Sequence, residues 1–154
     1  NTLYETGDDG DLKKGMTWPD PRFVDNGDGT VTDKLNGLFW LKNTSCLGES
    51  TWSQAILDCS GLAAGACSLT DGSSPGDWRL PNIDELLSLI DRSQSSPALP
   101  AGTPFTGVEI SNYWSSTSSS SNTDSAWFVF LADGYSDFTT KATASYVWPV
   151  RGGR

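Results

Sequence analysis

The segment Ala126-Trp127-Phe128-Val129-Phe130-Leu131 is apolar on both sides if it is extended, because successive side chains of a strand point to opposite faces. Trp127, Val129 and Leu131 share one face, and Phe128, Phe130 and Ala132 share the other. A chain of 154 residues builds one core more readily than two. Such a strand is therefore either buried on both sides or displays one set of rings. We expect Trp127, Val129 and Leu131 to turn inward, and Phe128 and Phe130 to line a ligand face. The competing arrangement covers Phe128 and Phe130 with a loop or with another subunit.

The rest of the pattern frames this strand. Residues 1–21 form a polar, Asp/Gly-rich segment in which Asp8, Asp9 and Asp11 read as solvated loop acids rather than a calcium loop. Arg22–Asp25 and Thr30–Asp33 are β-prone runs joined by Asn26-Gly27-Asp28-Gly29, whose glycines supply the positive φ of a hairpin. Asp25 and Asp28 are expected there as turn formers. A second turn at Leu35-Asn36-Gly37 leads to a strand at Leu38–Leu41. Thr51–Leu62 predicts one helix, capped by Thr51 with Gln54 in the reciprocal position, and residues 82–92 predict another, capped by Asn82. Asp84 and Glu85 fit the positive first turn of that second helix more simply than a catalytic role.

A Ser/Pro-rich connection over 93–107 precedes strands at about Tyr113–Ser116, Ala126–Leu131, Tyr135–Thr140 and Tyr146–Arg151, with a hairpin turn at Asp133-Gly134. The order (strands, two helices, loop, antiparallel strands) predicts one α+β domain over 1–154, with the C-terminal strands and binding loops in 111–151.

Seven Trp, four Tyr and six Phe supply the buried area that a modest aliphatic content does not. The net charge of −9 repels phosphates and sulfates, so nucleic acid is excluded as a default partner. No apolar run approaches the length of a membrane-spanning helix, which predicts no direct membrane insertion. The sequence has no histidine. That removes the commonest general base, the commonest metal ligand and every Ser-His or Cys-His nucleophile. The expectation is a non-enzyme without cofactor or metal.

Cys46, Cys59 and Cys67 contain no Cys-x-x-Cys spacing for zinc. Trp52, Ile56, Cys59 and Leu62 recur at helical steps, so Cys59 falls on a buried helix face. A Cys46–Cys67 disulfide is expected, with Cys59–Cys67 as the alternative, and either places the chain outside the cytoplasm.

The expected ligand surface combines the serine run with the strand rings. Ser118, Ser119, Ser120, Ser121, Asn122 and Asp124 would form a displayed rim. Phe128, Phe130, Ala132, Tyr135, Asp137, Phe138 and Thr140 would provide rings, a carboxylate and a hydroxyl. Aromatic rings give contact area at low entropic cost, and Ser and Asn give adaptable hydrogen bonds. Trp114, Trp148, Pro149 and Arg151 read as scaffold, with Arg79 and Arg151 as candidate partners of Asp84 or Glu85.

Four segments in order, "NGDGTVTDKLNGLFWLKN", "GDWRLPNIDELLSLID", "YWSST" and "YVWPVRGG", resemble the C-terminal-domain family of the Lcl (collagen-like) adhesin, from about Gly7 to Gly153. That family lies within the broad C-type-lectin-like fold. "TWSQAILDC…WRLPNIDEL" is also similar to the formylglycine-generating enzyme group, whose catalytic C-terminal cysteines are absent here.

The resemblance implies helices packed on a small, mostly antiparallel sheet, with first and last strands together and partners bound at distal loops. It also implies a bacterial or phage surface protein, in some cases a homotrimer, with relatives among the variable proteins of diversity-generating retroelements. The expectation is an extracellular, cell-surface or virion recognition domain for a protein receptor. The alternatives are a glycan-binding adhesin domain for cell-surface sugars, or a structural trimerisation domain.

Overall fold

Turn residues cut the first part of the chain into short strands, and the computed structural model, which describes residues 21–152, places them as a meander. The strands β1 (Phe23–Asp25), β2 (Thr30–Asp33) and β3 (Leu38–Leu41) pair antiparallel in sequence order. Asp25 and Asp28 do act in the first turn. Asp25 accepts from the Gly27 amide at 2.9 Å, and Asp28 accepts from the Thr30 amide and hydroxyl. The acidic cluster Asp8, Asp9 and Asp11 and most of the polar N-terminal segment lie outside the described residues.

After a short strand β4 (Glu49–Ser50) come α1 (Trp52–Ser60) and α2 (Ile83–Leu87), then β5 (Asn112–Ser118), β6 (Ser125–Phe130), β7 (Tyr135–Thr140), β8 (Ser145–Tyr146) and β9 (Val150–Gly152). The fold is α+β, with a four-stranded sheet β9-β3-β2-β1 and a five-stranded sheet β4-β8-β5-β6-β7. All pairings between these strands are antiparallel except that of β8 with β5. The last strand therefore returns to the N-terminal meander, against β3.

Three local expectations are corrected. The strand foreseen over Tyr146–Arg151 is two strands in different sheets, because Val147, Trp148 and Pro149 cross between them and proline donates no ladder hydrogen bond. The Thr51 hydroxyl makes no cap bond. The first helical amide, Trp52, instead donates to the Lys141 carbonyl at 3.0 Å, and Gln54 turns to Asp58. The second helix is only five residues long, since its end tightens into Leu89→Leu86 and Ile90→Leu87 bonds and the Asp91 amide is captured by the Ala98 carbonyl. Asn82 caps its start as expected, accepting from the Glu85 amide, but the reciprocal capping box expected at Thr51 forms here instead, with Glu85 reaching back to the Asn82 amide.

The main core joins Val31, Trp40 and Leu41 of the meander to Leu86, Leu89, Tyr113, Val129, Leu131 and Trp148. A second cluster, on the other side of the five-stranded sheet, packs Ala55 and Cys59 of α1 on Trp114, Ala126 and Val147. Cys46 and Cys67 are bonded, and Cys59 is free and buried. Burial pushes its thiol up to about 12, with a smaller contribution from nearby Asp58. The buried Arg22 guanidinium forks onto Asp33 at 2.9 and 2.8 Å and also donates to the Ser88 carbonyl, which fastens the meander to the end of α2.

Replacing Asp33 by Ala strands a buried guanidinium and should destabilise the fold by about 3–5 kcal/mol in urea unfolding. An unchanged midpoint would show that the pair holds nothing. Cys59 should resist alkylation at neutral pH until the chain unfolds, and reduction of Cys46–Cys67 should cost about 3 kcal/mol. Mass spectrometry and thermal melts read the two effects.

Candidate functional site

The hairpin β6–β7 is an edge of the five-stranded sheet, and its register sorts the side chains into two faces. Trp127 lies opposite Phe138, Val129 opposite Ser136, and this face turns toward the main core through the buried Val129. On the other face Ala126 lies opposite Thr139, Phe128 opposite Asp137, and Phe130 opposite Tyr135. The inner end of that second face is covered by α1, and Phe128 packs partly against its cluster. Toward the Asp133-Gly134 turn the cover ends: Phe130 is half-buried and Tyr135 is 52% exposed.

Burial therefore changes from point to point along β6, and the expectation that Trp127 turns into the core is corrected. Val129 and Leu131 are buried, whereas Trp127 shares their face but stands beyond the core, half-buried, edge-on to Phe138 at 5.4 Å. Phe138 is thus corrected to the face opposite Phe128 and Phe130. Thr140, opposite Ser125, goes with it and bonds Thr143. Ala132 sits in the turn, where its carbonyl accepts from the Ser96 amide. A side chain at Gly134, whose φ is +79°, would collide with Ile90, so the turn is held against the end of α2.

What the structure brings together is Phe128, Phe130, Tyr135 and Asp137. The Tyr135 hydroxyl donates to Asp137 Oδ2 at 2.8 Å, and the Phe138 amide donates to Oδ1 at 2.8 Å. These two bonds, the tyrosine one first, hold the Asp137 carboxyl below its ordinary range. The same hydroxyl bond, with the charges of Asp137 and Asp133, raises Tyr135.

The serine run is a built loop. The Ser119 amide donates to the Ser125 carbonyl and the Ser125 amide to the Asn122 carbonyl, both at 2.9 Å. Ser119 is buried, so it anchors the loop rather than joining the rim. Ser118, Ser120, Ser121, Asn122 and Asp124 are exposed. Irregular β5–β6 pairing between Trp114 and Ser118 leads into the loop.

Sequence reasoning passed over Lys141, because a lone lysine after a strand carries no signal. Its ammonium lies 4.2 Å from the Trp52 ring centre and donates to the Thr123 carbonyl at 2.7 Å, while its amide donates to the Asp124 carbonyl. The indole of Trp52 in turn donates to the Ser115 carbonyl. One side chain thereby clips the loop to α1.

A cleft of about 470 Å³ opens between α1 and residues 78–85, lined by Ile56, Trp78, Leu80 and Asn82 among others. Its charged groups answer one another. Arg79 forks onto Glu85 at 2.6 and 2.8 Å and donates to the Gly152 carbonyl, as expected for a scaffold pair. Arg151 pairs with Asp71 rather than with Asp84 or Glu85. We therefore place the candidate site on the sheet face, where the polar and aromatic groups remain open to solvent.

Residues 29–151 match the Lcl C-terminal domain, and the chain belongs to that family. No curated protein matches the chain.

Lys141→Met should loosen the serine loop. Hydrogen exchange at the Ser119 and Ser125 amides should rise roughly fivefold, matching about 1 kcal/mol of lost pinning; unchanged exchange would assign the clip no role. Asp137→Asn should lower the Tyr135 titration toward 10.0, followed by ring NMR. In the parent chain, stabilisation through Asp137 is present at neutral pH and fades as pH falls through its depressed carboxylate titration. Stabilisation through Tyr135 fades as pH rises through its elevated one.

Proposed function

We propose that this Lcl C-terminal-domain family member is a non-catalytic recognition domain of an extracellular surface protein, in the C-type-lectin-like manner. It binds a protein receptor through the open end of the β6–β7 face and the serine loop beside it. The observation that carries this reading is the placement of Phe130 and Tyr135. Large rings stay half-buried or exposed on a rigid edge hairpin whose opposite face is anchored by Val129 and Leu131. Neighbouring large rings left partly in water are what recognition surfaces favour.

The pinned loop supports the same reading, because a preformed hydroxyl-rich segment loses little entropy on binding. The Cys46–Cys67 bond supports an oxidising compartment. Among the described residues no helix is long and apolar enough to cross a membrane. The lack of histidine and the mutual pairing of Arg79 and Glu85 in the cleft support a non-enzyme. A retroelement-diversified surface, a virion location and a homotrimer are finer versions of this proposal. The first would concentrate natural variation at the exposed positions of 118–140.

Arrays of surface-protein ectodomains and of neutral glycans, probed with the parent chain and with Phe130→Ser/Tyr135→Ser, test the proposal. Protein binding that disappears in the double variant is the expected result. Tyr135→Ser alone should leave the unfolding midpoint nearly unchanged, whereas Leu131→Ala should cost about 2–5 kcal/mol. Binding confined to glycans would move the domain to the adhesin class. Equal binding by parent and variant would remove the face from function. Mass loss in light scattering on Phe130→Asp would identify a trimerising domain instead.

A further inference from the structure

The cross-strand pairs Phe128–Asp137 and Phe130–Tyr135 make a compact patch, since directly opposed side chains have Cβ atoms roughly 5 Å apart. It consists of aromatic rings around a carboxylate whose orientation is fixed by the Tyr135 hydroxyl and the Phe138 amide. Each Asp137 oxygen takes one of these bonds and keeps a lone pair for another donor.

The aromatic setting distinguishes this carboxylate, which also stands apart from the ion-paired acids of the fold. Asp25 pairs with Lys42, Asp33 with Arg22, Asp71 with Arg151 and Glu85 with Arg79. Among the described residues, neither Asp137 nor the adjoining Asp133 pairs with a cation. Lys141, just past the end of β7, is already engaged by Trp52 and the Thr123 carbonyl.

Resting on the recognition reading above, we infer that Phe128, Phe130, Tyr135 and Asp137 form a subsite for an arginine side chain presented by the protein partner. A planar guanidinium can lie against a ring face while its paired N–H groups fork onto the two carboxylate oxygens. The depressed titration of Asp137 keeps the acceptor charged at neutral pH. The net charge of −9 draws a basic partner toward the surface and makes the encounter rate fall with salt.

Titrating the isotope-labelled chain with Nα-acetyl-arginine amide, and following the amides of residues 128–138 by NMR, tests the inference. Saturable shifts confined to that patch are expected at millimolar probe. They should weaken about tenfold in Asp137→Asn, whose fold is checked by its unchanged spectrum elsewhere. Nα-acetyl-citrulline amide, which has the shape without the charge, should give none.

Absence of shifts, equal shifts with the citrulline or lysine amide, or a response to methyl glycosides in place of arginine would overturn it. If the Phe130→Ser/Tyr135→Ser variant still loses array binding while the arginine titration is silent, the inference alone fails. If both experiments are negative, the recognition reading falls with it.

Discussion

Trp148 is the contact on which the two sheets depend. Its ring stands at 63° to that of Trp40 at 5.4 Å and at 84° to that of Phe105 at 4.9 Å, and it is tilted against Tyr113 at 5.6 Å. Its indole nitrogen donates to the Leu41 carbonyl at 3.1 Å. The strands on either side, β8 and β9, belong to different sheets, and the large side chain fills the space where the chain crosses between them. Edge-to-face rings add attraction beyond their buried area, and the satisfied N–H removes the cost of burying it. With the crossing fixed, β8 joins β4 to β5 in the five-stranded sheet and β9 closes the meander.

That closure decides what the opposite edge can do. The five-stranded sheet is sandwiched, with the main core on one face and α1 on the other, but α1 is a helix of nine residues and cannot cover the whole face. At about 1.5 Å per residue it spans roughly the width of the central strands. Ala126 and Trp114 fall beneath it, Phe128 falls at its margin, and Phe130 and Tyr135 fall beyond it. The same strand therefore contributes structural and displayed residues two positions apart. Stability resides in Ala126, Val129 and Leu131, which leaves the outer pairs comparatively free to serve a partner.

Pinning extends this division to the loop. Lys141 holds the segment after β5 against Trp52, Gly134 lets the next turn approach Ile90, and the Ala132 carbonyl is tied to Ser96. A recognition surface on such a frame pays little conformational entropy when it engages. The acids above the patch would set its electrostatic preference without any change in the fold.

Local chemistry made much of this legible in the sequence. The Asn-Gly-Asp-Gly turn, the Asn82 cap, the short strands at Thr30–Asp33, Leu38–Leu41 and Tyr135–Thr140, and the Cys46–Cys67 pairing follow from residue preferences acting over a few positions or from one helical face. Strand parity likewise set Phe128 and Phe130 on one face and Val129 and Leu131 on the other. Where covering stopped was decided only in three dimensions, because burial depends on how far α1 reaches across the sheet. For the same reason Phe138 and Trp127 changed roles, Ser119 became an anchor, Lys141 acquired one, and a single apolar C-terminal run was divided between two sheets. Sequence fixes which way a side chain points through the backbone's own period; packing between distant segments fixes what it meets there.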